Sequence, residues 1–122
     1  MLPHQGAGVG QAFEDGWVLA NVLSHPAVTL ATLPAALKVY DDVRRPYSQG
    51  IAAGSAQNGS NFHLCRAGWE DVSVEDSMAG RYPRELLGVL GEELRKQTSW
   101  MYDSSILDER AVLAERLSAL SA

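Results

Sequence analysis

The sequence is poor in cysteine, in lysine and in long apolar runs, and each shortage removes a class of function. Cys65 is the single cysteine in 122 residues, so no disulfide can close within the chain and no multi-thiolate metal site can form. One free thiol fits a reducing compartment, and the expectation for it is an inert, buried side chain. Lys38 and Lys96 are the two lysines, and Arg44-Arg45 is the nearest approach to a basic run. With a formal net charge of −5, the chain lacks the clustered cations that nucleic acid or an anionic membrane surface requires. No segment approaches the roughly 20 apolar residues of a membrane span. Met1-Leu2-Pro3-His4 has neither the charged region nor the apolar run of a signal peptide. A cytoplasmic, intracellular protein is expected, without nucleic-acid or membrane partners.

Histidine is scarce as well. His25 stands at an expected helix end, where the dipole suffices to explain it. His63 has no His, Cys or carboxylate at ligand spacing, so no metal ligand is assigned. No Ser-His-Asp arrangement can be argued, and no catalytic residue is assigned. Strand-like alternation longer than a few residues is absent, and so is any internal repeat.

What remains has ordinary globular composition, with 46% hydrophobic and 20% charged residues. Trp17, Trp69 and Trp100 read as packing anchors. The fold class expected is mainly α, with about four helices, near residues 8–24, 33–64, 83–98 and 105–120. In the first, Val9, Ala12, Phe13, Trp17, Ala20 and Leu23 recur at helical spacing and are expected to face inward. Glu14 and Asp15 read as acids complementing the helix dipole in its opening turns. Thr32 is the expected cap of the second helix and Pro34 falls in its tolerated first turn. Its stripe is Leu33, Leu37, Tyr40, Tyr47 and Ile51, and Pro46 predicts a kink or a restart. Gly50, Gly54 and Gly59 predict that another backbone packs closely on that helix. Residues 67–82 read as a loop or short strand. Leu86, Leu87, Leu90 and Leu94 are expected inward on the third helix, and Ile106, Leu113, Leu117 and Leu120 on the fourth.

The segment that carries chemistry is Gly6-Ala7-Gly8-Val9-Gly10, which opens straight into the first helix. A glycine-rich loop there offers unpaired backbone N–H groups and a partial positive charge, with no side chains in the way. A dinucleotide fingerprint also needs a preceding strand, and the five residues before Gly6 leave no room for one. Spacing alone therefore leaves two readings open, a tight turn into a helix and an anion site.

The wider string MLPHQGAGVGQAFEDGWVLANVL resembles the second flavin-contacting motif of the FAD-dependent aromatic hydroxylases. Pro3, Gly6, Gly8, Gly10, Gln11, Ala12, Glu14 and Asp15 match that motif, and His4 to Gly8 is similar to the salicylate-hydroxylase branch. Tyr40-Asp41-Asp42-Val43-Arg44-Arg45-Pro46 resembles the family's Tyr-x-x-x-Arg-Arg-Pro stretch, and Trp100-Met101-Tyr102-Asp103 its C-terminal ending. The resemblance implies an FAD-dependent monooxygenase (a flavoprotein oxidoreductase) that hydroxylates an aromatic acid with NAD(P)H. It further implies that backbone N–H groups of Gly6, Ala7, Gly8 and Val9 contact the flavin ring, with Pro3 lining it. His4, beside the glycines, reads as an exposed histidine, with a base toward flavin or substrate as the alternative.

The same resemblance implies that residues 1–122 correspond to the C-terminal helical part of the family's FAD-binding domain. Residues 1–24 would be the flavin-contacting loop and helix, 33–64 the long helix and 83–122 the C-terminal helices. The family's Rossmann-type part has no counterpart in the sequence. The expectation is a fragment, without stand-alone activity and with doubtful FAD binding of its own. The alternative is a helical remnant or interaction module that binds no flavin and associates through exposed apolar surface.

Overall fold

The computed structural model describes residues 1–65, 67–103 and 105–121, and among them there is no strand. The mainly α expectation holds. A 3-10 turn at Pro3–Gln5 leads into α1, Gly8–Leu23. A 30-residue helix, α2, spans Leu33–Phe62, about 45 Å at 1.5 Å per residue. It is followed by a short helix α3 at Val74–Met78, α4 at Arg84–Thr98, a four-residue helix α5 at Trp100–Asp103, and α6 at Ile106–Ser118. The four longer helices lie where the hydrophobic periodicity put them. α3 stands where a loop or short strand was expected. Its signal was Ser73-x-x-Asp76, whose Ser73 hydroxyl accepts from the Asp76 backbone N–H at 3.0 Å.

The core is built by α1, the first half of α2 and α6. Val18, Val22, Ala36, Leu113 and Leu117 are buried together, and Trp17, Val39, Val43 and Ile106 pack against them. The α6 stripe is as expected. That of α1 is not: Val9, Phe13 and Leu23 are 69%, 76% and 49% exposed, while Gln11, Val18 and Val22 are buried. Apolar residues occupy two faces of α1, so periodicity could not choose between them. The choice is made by Gln11, Glu14 and Asp15, which must reach Arg44 on α2 and thereby turn Val18 and Val22 inward. On α2, Leu37 is exposed, and the buried face runs through Ala36, Arg44, Ile51 and Ser55.

Helix α2 continues through Pro46, so of the kink or restart expected there the restart does not occur. Buried Arg44 before the proline and buried Ile51 after it are both packed, so tertiary contacts on either side carry the helix past one missing N–H. Its second half is covered by the 3-10 turn and α4. The glycines there make room for side chains rather than for another backbone. A β-carbon on Gly54 would meet Gln97 Oε1 at 2.8 Å and Gln5 Nε2 at 3.1 Å, and one on Gly59 would meet the His4 ring at 2.6 Å. The Ser55 hydroxyl donates to Leu2 O at 2.5 Å and Gln5 Nε2 to Gln97 O at 2.7 Å, so the turn is tied to both helices.

Three smaller expectations are corrected. The Thr32 side chain does not cap α2; its hydroxyl donates instead to Ala27 O at 2.9 Å, within the preceding loop. Cys65 is exposed, because it sits in the turn just after α2 rather than on a packed face. Leu87 of α4 is exposed, whereas Leu86, Leu90 and Leu94 are partly covered. Trp69 is buried and stacks on Tyr82 at 6.2 Å between centroids, as expected of an anchor.

The rotated face of α1 gives a direct check. Leu117→Ala should cost about 2–5 kcal/mol, as a buried leucine truncated in a packed core does. Phe13→Ser, at the position the sequence pattern had placed inward, should stay within about 0.5 kcal/mol of wild type. Urea unfolding of the two variants measures both; a large loss from Phe13→Ser would reverse the assigned face.

Candidate functional site

Two features stand out at the start of α1, the glycine loop and the charged cluster just beyond it. The 3-10 turn at Pro3–Gln5 closes when the Gly6 N–H donates to Pro3 O at 3.1 Å, with Gly6 at φ 64°. That left-handed backbone is what glycine supplies at low cost. Ala7 is buried and occupies the cap position of α1, where no side chain accepts from the helix N–H groups. The first intrahelical bond is Gln11 N–H to Ala7 O, at 2.9 Å. The N–H groups of Gly8, Val9 and Gly10 therefore have no partner within the helix.

Gly8 is different in kind from Gly6. Its backbone is helical and needs no glycine, and a β-carbon built on Gly8 or Gly10 meets nothing within 4 Å. A cavity of about 330 Å³ opens beside Gly8, bordered by Gln11, Ala12, Asp15, Ser48 and Ala52. Pro3, Gly6, Ala7, Gly8 and Val9 thus form one continuous loop and first turn, with Pro3 and Val9 exposed. His4 is not an exposed terminal side chain. Its ring wedges against Gly59 and stands edge-on to His63, with centroids 6.1 Å apart.

The residue that sequence reasoning missed is Arg44. Its side chain is 3% exposed, and its Nε donates to Asp15 Oδ1 at 2.7 Å. Nη2 donates to Gln11 Oε1 at 3.0 Å and to Glu14 Oε2 at 3.1 Å, and Nη1 donates to Glu109 Oε1 at 2.9 Å. The Tyr47 ring lies 5.2 Å from the guanidinium carbon. Glu14 and Asp15 are therefore not first-turn dipole partners. They lie in the second turn of α1 and serve as ligands of a buried cation. A local signal was available. Arg45 pairs with Asp41 and Lys38 with Asp42 four residues away, but the residues four before and after Arg44 are Tyr40 and Ser48. An arginine without a carboxylate four residues away on its own helix found its anionic partners on others.

The electrostatics follow from burial against pairing. Burial alone would lower the Arg44 guanidinium, yet its hydrogen bond to Asp15 and the charges of Glu109 and Asp15 hold it above its ordinary value. Burial raises Glu109, with Glu14 and Asp15 pushing the same way and Arg44 opposing. Tyr40 is raised by burial and by the charge of Asp15. Among the described residues, no three His, Cys, Asp or Glu side chains are grouped so as to hold a metal ion, and no helix is long and apolar enough to cross a membrane.

No family model and no solved structure matches the chain. Curated proteins do. A salicylate hydroxylase of Pseudomonas putida is 31% identical over 117 residues, 96% of this chain and 24% of that protein. A second salicylate hydroxylase of the same species is 41% identical over 64 residues, 52% of this chain and 15% of that protein. An FAD-dependent monooxygenase of Strobilurus tenacellus is 28% identical over 97 residues, 80% of this chain and 18% of that protein. The chain is a distant homologue of salicylate hydroxylase and other FAD-dependent monooxygenases. It spans about a quarter or less of the length of these relatives.

Within this monooxygenase homologue, Arg44 is the cation that joins three helices. Arg44→Met should destabilise by about 2–3 kcal/mol, below the full cost of a broken buried pair, since Glu14, Asp15 and Glu109 lose their counter-charge but keep some contact with water. Arg44→Lys keeps the charge but not the planar fork, and should fall between wild type and the Met variant. Urea unfolding followed by circular dichroism measures both. Equal stability of Arg44→Met and wild type would show that the cluster contributes nothing.

Proposed function

We propose that this chain is the flavin-contacting helical part of an FAD-dependent monooxygenase acting on an aromatic acid, with NAD(P)H as reductant. The observation that carries this reading is the start of α1. Its free N–H groups end beside a glycine, Gly8, that neither the backbone nor any neighbour requires. Such a helix end stabilises negative charge, as on the pyrimidine edge of a reduced flavin. When bound, FAD supplies the redox chemistry, passing electrons from NAD(P)H to oxygen. The chain's own part is to bind and orient the ring. Backbone N–H groups of Ala7, Gly8 and Val9 contact the ring edge, Gly6 (whose N–H is taken by Pro3 O) shapes the turn beside it, Pro3 lines its face, and the dipole of α1 favours the reduced state.

The described residues form no strand, so a strand-helix-strand unit for the ADP half of FAD must come from outside them. Residues 1–122 alone are therefore expected to bind flavin weakly and to support no hydroxylation. A cytoplasmic location agrees with this chemistry, and NAD(P)H is available there. A second reading has its own support. Val9, Phe13 and Leu23 leave an apolar face of α1 exposed, which favours an interaction module that binds no flavin.

Titration of FAD into the purified chain, followed by flavin fluorescence and visible absorbance, separates the two. The flavin reading expects perturbed flavin spectra, and about a tenfold weaker response from Gly8→Val, roughly 1.4 kcal/mol, with helical circular dichroism unchanged. NADH oxidation with salicylate should run no faster than with free FAD. Unperturbed spectra, or identical binding by Gly8→Val, would leave the association reading; rapid salicylate-dependent turnover would refute the need for a further domain.

A further inference from the structure

The Arg44 cluster sets one buried positive charge against three carboxylates. Glu14 and Asp15 come from α1 and Glu109 from α6. Full ionisation leaves two negative charges in excess around a guanidinium closed to water, and Glu109, at 17% exposure, is the least hydrated of the three acids. One of the six carboxylate oxygens is singled out: Glu109 Oε2 is buried and has no hydrogen-bond partner. A charged oxygen in that position has lost its water and gained nothing in return; a protonated one still lacks a partner for its O–H, but an uncharged group costs far less to bury. The small acid-lined cavity beside it, about 180 Å³, is bordered by Glu14, Tyr47, Ser105, Asp108 and Glu109. Asp108 Oδ2 is engaged in the cap of α6, accepting from the Ser105 N–H at 3.3 Å.

We propose that Glu109 stores an exchangeable proton in this cluster, and that releasing it loosens α6 from α1 and α2. The device is independent of flavin. Glu109 is the link that α6 contributes to Arg44, while α1 contributes Gln11, Glu14 and Asp15. The charged and titratable groups facing it are Glu14 and Asp15 from α1, Arg44 and Tyr47 from α2, and Asp108 on α6 itself. Repulsion on deprotonation falls between α6 and α1, because Arg44 cannot neutralise three carboxylates at once. Burial holds the Glu109 carboxyl above its ordinary value of 4.5.

The direction with pH follows. Below pH 4.5 the proton is present in folded and unfolded chains alike, and the stabilisation is complete. As pH rises through 4.5 the unfolded chain releases its proton first, so stability declines until the folded-state pKa has been passed. Asp42 and Asp76, both lowered by hydrogen bonds, act in the opposite sense at lower pH, so a comparison at one residue is needed.

The test uses the full chain. Carbon NMR titration of the glutamate carboxyls should show one group with a midpoint above 4.5, absent in Glu109→Gln. Over the same pH step, amide exchange corrected for intrinsic rate should lose about tenfold in protection within Ile106–Ser118, for each pH unit by which the folded site holds its proton more tightly. α4 should not share that loss, and Glu109→Gln should not show it. A wild-type spectrum in which every glutamate titrates at or below 4.5 overturns the proposal, whether or not the variant folds. So does a loss of protection spread evenly over α4 and α6, or one that persists in Glu109→Gln.

Discussion

Arg44 carries a full positive charge to a position almost closed to water, and the arrangement of the first half of the chain follows from the need to satisfy it. A guanidinium has five N–H donors in a fixed plane. Here they reach two side chains on the second turn of α1, one on its first turn and one on α6. Because the fork is rigid, those partners fix rotation as well as distance. Turning α1 by one residue would take Asp15 away from Nε and Gln11 away from Nη2 together. A buried ion pair adds little net stability over an apolar equivalent, but breaking one is costly. Its larger effect here is to select which apolar face of α1 goes inward.

The apolar core is arranged around that choice. Val18 and Val22 follow Gln11 and Asp15 along one side of α1, and Leu113 and Leu117 follow Glu109 one and two turns further along α6. The apolar layer begins where the charged layer stops. Farther along α2 the packing changes character. Gly54, Ser55 and Gly59 accept Gln97, Gln5 and His4 against the helix, so polar side chains pack there with hydrogen bonds from the turn before α1. One long helix therefore meets an apolar, an ionic and an amide-rich surface in succession.

These layers also explain what could be read from the sequence. The existence and length of the four longer helices were legible, because each has enough periodic apolar residues and a recognisable start or stop, whereas α3 and α5 are too short to show a period. The resemblance to FAD-dependent monooxygenases was legible from residue identities alone. The face of α1 was not, since Val9, Phe13 and Leu23 compete with Val18 and Val22 at helical spacing, and the deciding contact lies about thirty residues away in sequence. Glu14 and Asp15 were misread for a related reason. An acid near a helix start has a sufficient local explanation, so nothing in the local pattern asks for a distant cation. Continuity through Pro46 was hidden likewise, because local propensity cannot weigh packing on both sides of the proline. The positive φ needed at the glycine loop falls on Gly6, and that distinction from Gly8 requires coordinates.

The clamp and the glycine loop belong to one arrangement. A helix that begins Gly-Val-Gly, without a side-chain cap, has weak intrinsic reason to start where it does; each glycine costs about 1 kcal/mol against alanine, and end turns fray easily. Bare N–H groups are useful to an anionic ligand only if they are held still before it arrives, because ordering them at binding subtracts from affinity. Arg44 holds Gln11 one residue beyond Gly10, then Glu14 and Asp15 one turn later. On the other side, Ser55 and Gln97 hold Leu2 and Gln5 by hydrogen bonds. The loop from Pro3 to Gly10 is thus fixed at both ends by contacts to α2 and α4 that leave the backbone N–H groups of Gly8, Val9 and Gly10 unused. A helix start that is open, uncapped and glycine-rich can then remain ordered, because its rigidity comes from neighbours on either side of it.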